Sequence, residues 1–278
     1  MKQWRLLVDC ADRRGLVHHI TGVLFRAGCN VLVNHEYADA ETDRFFMRTE
    51  FVGEIPGDQI VQEVAALLPA DAQIRLTQPG NKRLAVLASK EHHCLADILI
   101  RCAFGELDAA VAAVVSNHRQ LEPLVAKFGV PFHYCGHEGI ARDEHEQRMA
   151  ALLESIRPDF VVLAKYMRIL SADFVGRYPH RMINIHHSFL PAFVGARPYH
   201  QAFQRGVKVI GATAHFVTAE LDQGPIIVQQ VIPVDHSHSA HELARAGRDV
   251  EQMALARGLR LVLEDRVFLN GNRTVIFD

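Results

Sequence analysis

The sequence predicts an α/β protein in two parts: a small α+β unit over residues 1–79, and an open sheet of alternating strands and helices over residues 80–278. Three observations carry that expectation. The first stretch reads in the order βαββαβ. From Lys82 onward, apolar runs of strand length alternate with amphipathic stretches, which argues parallel strands joined by helices. Between the two, Gln78-Pro79-Gly80-Asn81 is a short polar run of turn formers and marks the boundary. The bulk numbers agree, since 278 residues at 49% hydrophobic and 22% charged can bury a core without staples.

In the first part, residues 4–9 form a strand. Asp12-Arg13-Arg14-Gly15 is a turn, and residues 16–27 are an amphipathic helix stopped by Gly28. Residues 31–37 and 45–51 are strands on either side of a polar turn at 39–43. Pro56-Gly57-Asp58 starts a helix over 60–68, and 72–76 is the last strand. This is the ferredoxin-like order. The stretch DRRGLVHHITGVLFRAGCNV resembles the opening of an ACT domain, a small-molecule sensing module. The resemblance implies an amino acid bound between subunits near Asp12, Gly15 and Leu16, and hence a homo-oligomer. A plain oligomerisation module fits the same residues equally well.

The second part opens with an apolar strand at 83–88 and a helix at 91–104. A strand within 107–116, a helix at 120–128 and a short strand at 130–134 follow. Residues 142–156 are a helix with Asp143 and Glu144 in its first turn. Then come a buried strand at 159–164, a short helical segment at 171–178 and a strand at 182–186. Two further strands, 208–217 and 226–234, flank a polar turn. A long helix at 239–264 precedes a strand-like run at 266–276. In such a Rossmann-like sheet, ligands sit beyond the C-terminal ends of the strands. His186 stands at that end of its strand.

The stretch MINIHHSFLP, beginning at Met182, concentrates the chemistry. Ile183 and Ile185 alternate with Asn184 and His186, so a strand puts the amide and the imidazole on one face. Asn184 can donate to a developing oxyanion, and His186 can polarise or protonate it. The turn TAELDQGP supplies Asp222, a carboxylate able to orient or deprotonate water. His215 lies on the strand leading to Asp222 and can tune it. His236, His238 and His241 have a spacing compatible with metal, but no cysteine or carboxylate cluster completes a site, and the same holds for His18-His19 and His92-His93. No metal is therefore expected.

Charge and composition narrow the partners. A formal net charge of −2 and the absence of a long basic cluster argue against nucleic acid and acidic membranes. The apolar runs are too short to span a bilayer, and MKQWRLLVDC has no signal-peptide pattern. Cys10, Cys29, Cys94, Cys102 and Cys135 show no paired spacing, as expected of reduced thiols in a cytoplasmic protein.

Residues 182–230 resemble the folate-dependent formyltransferases through NIHHSFLPAF, GATAHFV and LDQGPII, with Asp222 placed 36 positions after His186. Tyr166-Met167-Arg168-Ile169-Leu170-Ser171 looks like that family's pterin-contacting segment. The resemblance therefore implies substrate contacts from Met167, Arg168, Ile169 and Leu170, with His215 close by. The double histidine, the following GARPYHQAF and the ACT-like first part together resemble the formyltetrahydrofolate deformylases. That family implies hydrolysis of 10-formyltetrahydrofolate to tetrahydrofolate and formate, without a cofactor, supplying formate for purine synthesis. For its sensing domain it implies glycine or methionine. One departure from the ribonucleotide transferases supports water as acceptor. The turn Ala88-Ser89-Lys90-Glu91-His92-His93-Cys94 has no glycine to cradle a phosphate, and Glu91 would repel one. Three alternatives stand beside this reading. One is a metal-dependent deacylase with His186, His215 and Asp222 as ligands, which leaves Asn184 without a role. The others are a non-catalytic folate or amino-acid sensor, and a transferase with another small acceptor.

Overall fold

The computed structural model describes residues 1–80, 82–191 and 198–278. Asn81 of the linker, Ala192 and Phe193 of NIHHSFLPAF, and Gly195, Ala196 and Arg197 of GARPYHQAF lie outside the described residues. The chain groups into two compact units. One holds Met1–Gly80 with Glu264–Asn270 and Val275–Asp278; the other holds Asn81–Leu263 with Gly271–Thr274.

The first unit contains β1 (Lys2–Ala11), α1 (Leu16–Arg26), β2 (Asn30–Asp39), β3 (Arg44–Gly53), α2 (Gly57–Ala65) and β4 (Gln73–Thr77). Its sheet has the order β2-β3-β1-β4, antiparallel throughout. Strand alternation splits the apolar residues between two faces. Leu6, Val8 and Cys10 of β1 join Phe45, Met47 and Phe51 of β3 against Leu16, Ile20, Val23 and Leu24 of α1 and Ile60 and Val64 of α2. Gly28 takes φ +70° and ends α1, a conformation that costs glycine least.

The other pleat carries Leu7 and Phe46, which pack with Phe268 and Phe277. Arg48 on that face is fully buried. Its guanidinium donates to the carbonyls of Glu264 at 2.8 Å and Asp265 at 3.1 Å, and to the Glu50 carboxylate at 2.5 Å. The sequence reading gave all of residues 80–278 to the second domain. The C-terminal segments instead join the first unit, because its sheet has a second apolar face that α1 and α2 do not cover.

The second unit begins with β5 (Lys82–Ala88), α3 (His93–Ala103), β6 (Ala109–Ser116), α4 (Glu122–Ala126) and β7 (Phe132–Tyr134). It continues through α5 (Arg142–Ile156), β8 (Phe160–Leu163), α6 (Ala172–Gly176), β9 (Met182–His186), α7 (Pro198–Arg205), β10 (Val209–Phe216), β11 (Ile226–Pro233) and α8 (Ala240–Leu263). The sheet order is β11-β10-β9-β8-β5-β6-β7. Strands β5 to β9 are parallel, as expected, but β10 runs antiparallel to both β9 and β11. The nine residues 217–225 explain the β10–β11 hairpin, since a parallel crossover needs about a dozen or more. Helix α7 was not legible as an element in the sequence. The run 266–276 is two strands, β12 (Val267–Asn270) and β13 (Arg273–Ile276), turned at Gly271 with φ +60°.

On one face of the sheet, Met149, Ala150, Leu153 and Ile156 of α5 pack with Ala85, Leu87, Val115 and Val161. Helix α8 packs on β9, β10, β11 and α3. The chain runs outward from β5 through β6 to β7, then returns to place β8 on the other side of β5. That reversal opens a crevice at the C-terminal ends of β5 and β8. Among the described residues, no helix is long and apolar enough to cross a membrane.

Candidate active site

A cleft of about 430 Å³ opens beside that crevice, within the range of small-molecule sites. The segment after β8 forms one wall. It is tethered at both ends. The Met167 N–H donates to Ser89 Oγ at 3.0 Å, and Ser89 Oγ donates to Asn117 Oδ1 at 2.8 Å. Downstream, the Ser171 N–H donates to Glu146 Oε1 at 2.9 Å, while Ser171 Oγ caps α6 by accepting from the Phe174 N–H at 3.1 Å. Between the tethers, Met167 and Ile169 are 63% and 61% exposed, an apolar rim open to a flat ligand. Met167, Arg168, Ile169 and Leu170 all line the cleft.

The opposite wall comes from β9, β10 and the turn after β10. The register places His215 directly across from Asn184. His215 Nδ1 donates to the Phe216 carbonyl at 2.9 Å, so its Nε2 is free to accept from Asn184 Nδ2 at 3.1 Å. This fixes which way the Asn184 amide points and leaves its second N–H for a ligand. Asp222 adopts φ +55°, a left-handed conformation that aspartate tolerates. Behind it, Gly224 passes so close to β10 that an added Cβ would lie 1.8 Å from the Phe216 carbonyl oxygen. Only glycine lets the turn fold back there.

Asp222 Oδ2 lies 3.2 Å from His186 Nδ1, and Oδ1 lies 3.7 Å from His215 Nε2. Burial opposes the charge of Asp222, but the two imidazoles outweigh it and hold the carboxyl well below the usual carboxylate range. His186 is only 5% exposed, and its Nε2 has no hydrogen-bond partner among the described residues. A buried imidazole nitrogen held by a carboxylate on one side and unpartnered on the other is poised for a ligand in the cleft.

Asn184, His186, His215 and Asp222 thus face, across one cleft, the four residues of the 167–170 segment. Asp12, Gly15 and Leu16 belong to the other unit. Gly15 has φ +88° at the N-cap of α1 and no side chain caps that helix start. Leu16 is 2% exposed and its side chain belongs to the core.

Sequence reasoning missed Lys165 and Leu221 of the cleft, whereas Tyr166 and His187 line it as part of the 166–171 segment and the double histidine. It also missed the buried cluster behind Lys165. There Glu251, 1% exposed, is bound by Lys165 Nζ at 3.1 Å, His93 Nε2 at 2.7 Å and Tyr199 OH at 2.7 Å. His93, Cys94 and Glu251 have metal-ligating atoms close together. The Lys165 ammonium already stands at Glu251, and burial pushes the Cys94 thiol well up, so these donors suit a metal poorly.

Known proteins resemble this chain along its whole length. A family model described as formyl transferase matches residues 82–259, and one described as ACT domain matches residues 4–69. A formyltetrahydrofolate deformylase of Escherichia coli (strain K12) is 50% identical over 267 residues, covering 96% of this chain and 95% of the relative. The crystal structure of a formyltetrahydrofolate deformylase from Pseudomonas syringae pv. tomato matches with a TM-score of 0.96 at 41% identity, over 100% of this chain and 95% of that one. Glycinamide ribonucleotide transformylase 1 from Symbiobacterium toebii matches with a TM-score of 0.68 at 35% identity, over 71% of this chain and 95% of that one.

Proposed function

The chain belongs to the formyltetrahydrofolate deformylase family and is a hydrolase, and from that premise we propose that Asn184, His186 and Asp222 hydrolyse 10-formyltetrahydrofolate to tetrahydrofolate and formate in the cleft beside β9. The observation that carries this assignment is the buried, unpartnered Nε2 of His186, beside the remaining N–H of Asn184. Both face the charge that develops when water attacks the formyl carbon. The carbonyl oxygen becomes an oxyanion; the Asn184 N–H donates to it, and so does Nε2 of a doubly protonated His186 ring whose charge Asp222 balances. One such donor contributes typically ~10²–10³-fold. Asp222 stays ionised, fixes the His186 ring through Nδ1 and helps orient water. Its depressed pKa makes it a poor final acceptor for a proton. The rim of Met167 and Ile169 receives the pterin, and the backbone of residues 167–170 supplies polar contacts.

Water is the acceptor. The turn between β5 and α3 holds no glycine, and Glu91 places an exposed carboxylate where α3 begins, the position that would otherwise favour a phosphate. Incubation with 10-formyltetrahydrofolate and no other acceptor should release formate and tetrahydrofolate in equal amounts. Adding glycinamide ribonucleotide should yield no formylated product. A formylated ribonucleotide made as fast as formate would overturn the assignment of water.

The hydrolysis leaves oxidation states unchanged and asks for no resident cofactor. Its formate serves purine synthesis, and unpaired cysteines with buried thiols at Cys10, Cys94 and Cys135 suit the cytoplasm. The ACT domain implies a small-molecule effector. Glycine or methionine would bind near Asp12 and Gly15 in a homo-oligomer, with the uncapped amides at the start of α1 receiving its carboxylate.

A further inference from the structure

We propose that His187 is a catalytic residue of this hydrolysis, taking a proton from the attacking water and returning it to N10, and that Lys165 acts through it as a positioning residue. The proposal rests on the hydrolytic reading above. His187 lines the cleft, and its ring stacks on His186 with centroids 4.9 Å apart and planes at 29°. No hydrogen bond joins that ring to any described residue. Its nitrogens are therefore uncommitted among the described residues, on a ring that lines the cleft and stacks on the imidazole that meets the oxyanion.

The groups around His187 suit the task. Burial lowers its affinity for a proton, as do the nearby Lys165 ammonium and His186; Glu251 and Asp222 act the other way, and the balance pushes its pKa down to about 4. The ring is thus neutral and able to accept. Lys165 takes φ +61° at the end of β8 and is 9% exposed, with its ammonium locked on Glu251. A buried ion pair is a weak source of stability. This one fixes a positive charge on the cleft wall beside His187, and His93 and Tyr199 hold the carboxylate in place.

The step balances. The water oxygen forms a bond to the formyl carbon while His187 takes one water proton. The carbonyl pair moves to oxygen, facing Asn184 and His186. When the pair returns, the carbon–N10 bond breaks and His187 gives its proton to N10. Formic acid and tetrahydrofolate leave, and the acid ionises in solvent. N10 is a weakly basic arylamine, so a strongly acidic imidazolium is the donor it needs. The chain places this second histidine directly after His186, in NIHHSFLP. His187 would thereby help commit the site to water.

The test uses the full chain. His187→Gln and His187→Asn, folded by circular dichroism, should lose roughly 10²-fold or more in kcat at neutral pH, with KM for 10-formyltetrahydrofolate within about two-fold of wild type. In nitrogen-15 NMR of labelled histidines, the wild-type His187 ring should stay neutral well below the ordinary value of about 6.5. In a Lys165→Met, Glu251→Gln double variant, which removes the pair without stranding a charge, it should take its proton at a higher pH than in the wild type, still short of the ordinary value because burial, the larger cause, remains. A wild type that releases no formate overturns the hydrolytic reading itself. A wild type that hydrolyses, alongside His187 variants of equal kcat, overturns this proposal alone. A His187 titration unmoved in the double variant overturns the role of Lys165.

Discussion

Asp222 is a carboxylate whose environment works for its charge. Asp222→Asn keeps the shape of the turn but removes the negative charge paired with His186 Nδ1–H, so kcat should fall by ~10²–10⁴-fold while folate still binds. Stopped-flow kinetics and a folate-binding titration check the two halves. The sign of its pH effect follows from the depressed pKa. Its interaction with His186 stabilises the fold above about pH 4, the unfolded value, and is lost as pH falls from there through the folded value. Much of this was legible in the sequence, because strand alternation alone puts Asn184 and His186 on one face and a Gly-Pro turn brings Asp222 back to them. Lys165 and Glu251 were not legible. They meet only because α8 packs behind β9, and no local pattern announces a pairing between a residue after β8 and one on the last helix.

At the scale of elements, the wall after β8 is a short loop whose position depends on its tethers rather than on regular structure. Ser89→Ala removes the acceptor of the Met167 N–H and the donor to Asn117. The loss is about 1 kcal/mol, or roughly five-fold in KM for the folate, with kcat little changed. Equal KM in steady-state kinetics would show that Ser171 and Glu146 alone hold the loop. The strands and long helices were readable from apolar period, since each buries a face. Helix α7 was not, because its eight residues carry too little pattern to stand out from a loop. The direction of β10 was also hidden: direction depends on how a connection closes, and apolar runs look alike whichever way they point.

At the scale of the whole molecule, the ACT domain and the formyl transferase domain fall in separate units, but the chain does not divide at one point. A chain starting near Gly80 should keep formyl hydrolysis and lose any response to glycine or methionine. It should also be less soluble, because Phe268 and Phe277 lose Leu7 and Phe46. Replacing both phenylalanines by serine should restore solubility, and sedimentation of the two truncated forms measures it. An amino-acid response that survives in the soluble form places the sensing site outside residues 1–80. The return of the C-terminus to the first unit also sets an order in time. A ribosome adds roughly 5–20 residues per second, so about 10–40 s separate the emergence of β4 from that of β12. For that interval the first sheet can form with one side covered while Leu7 and Phe46 wait on solvent or a chaperone. Arg48 likewise waits for the carbonyls of Glu264 and Asp265. The unit that begins translation is the last to be finished, and a message truncated before the codon for Phe268 yields a nascent chain whose first fold cannot close.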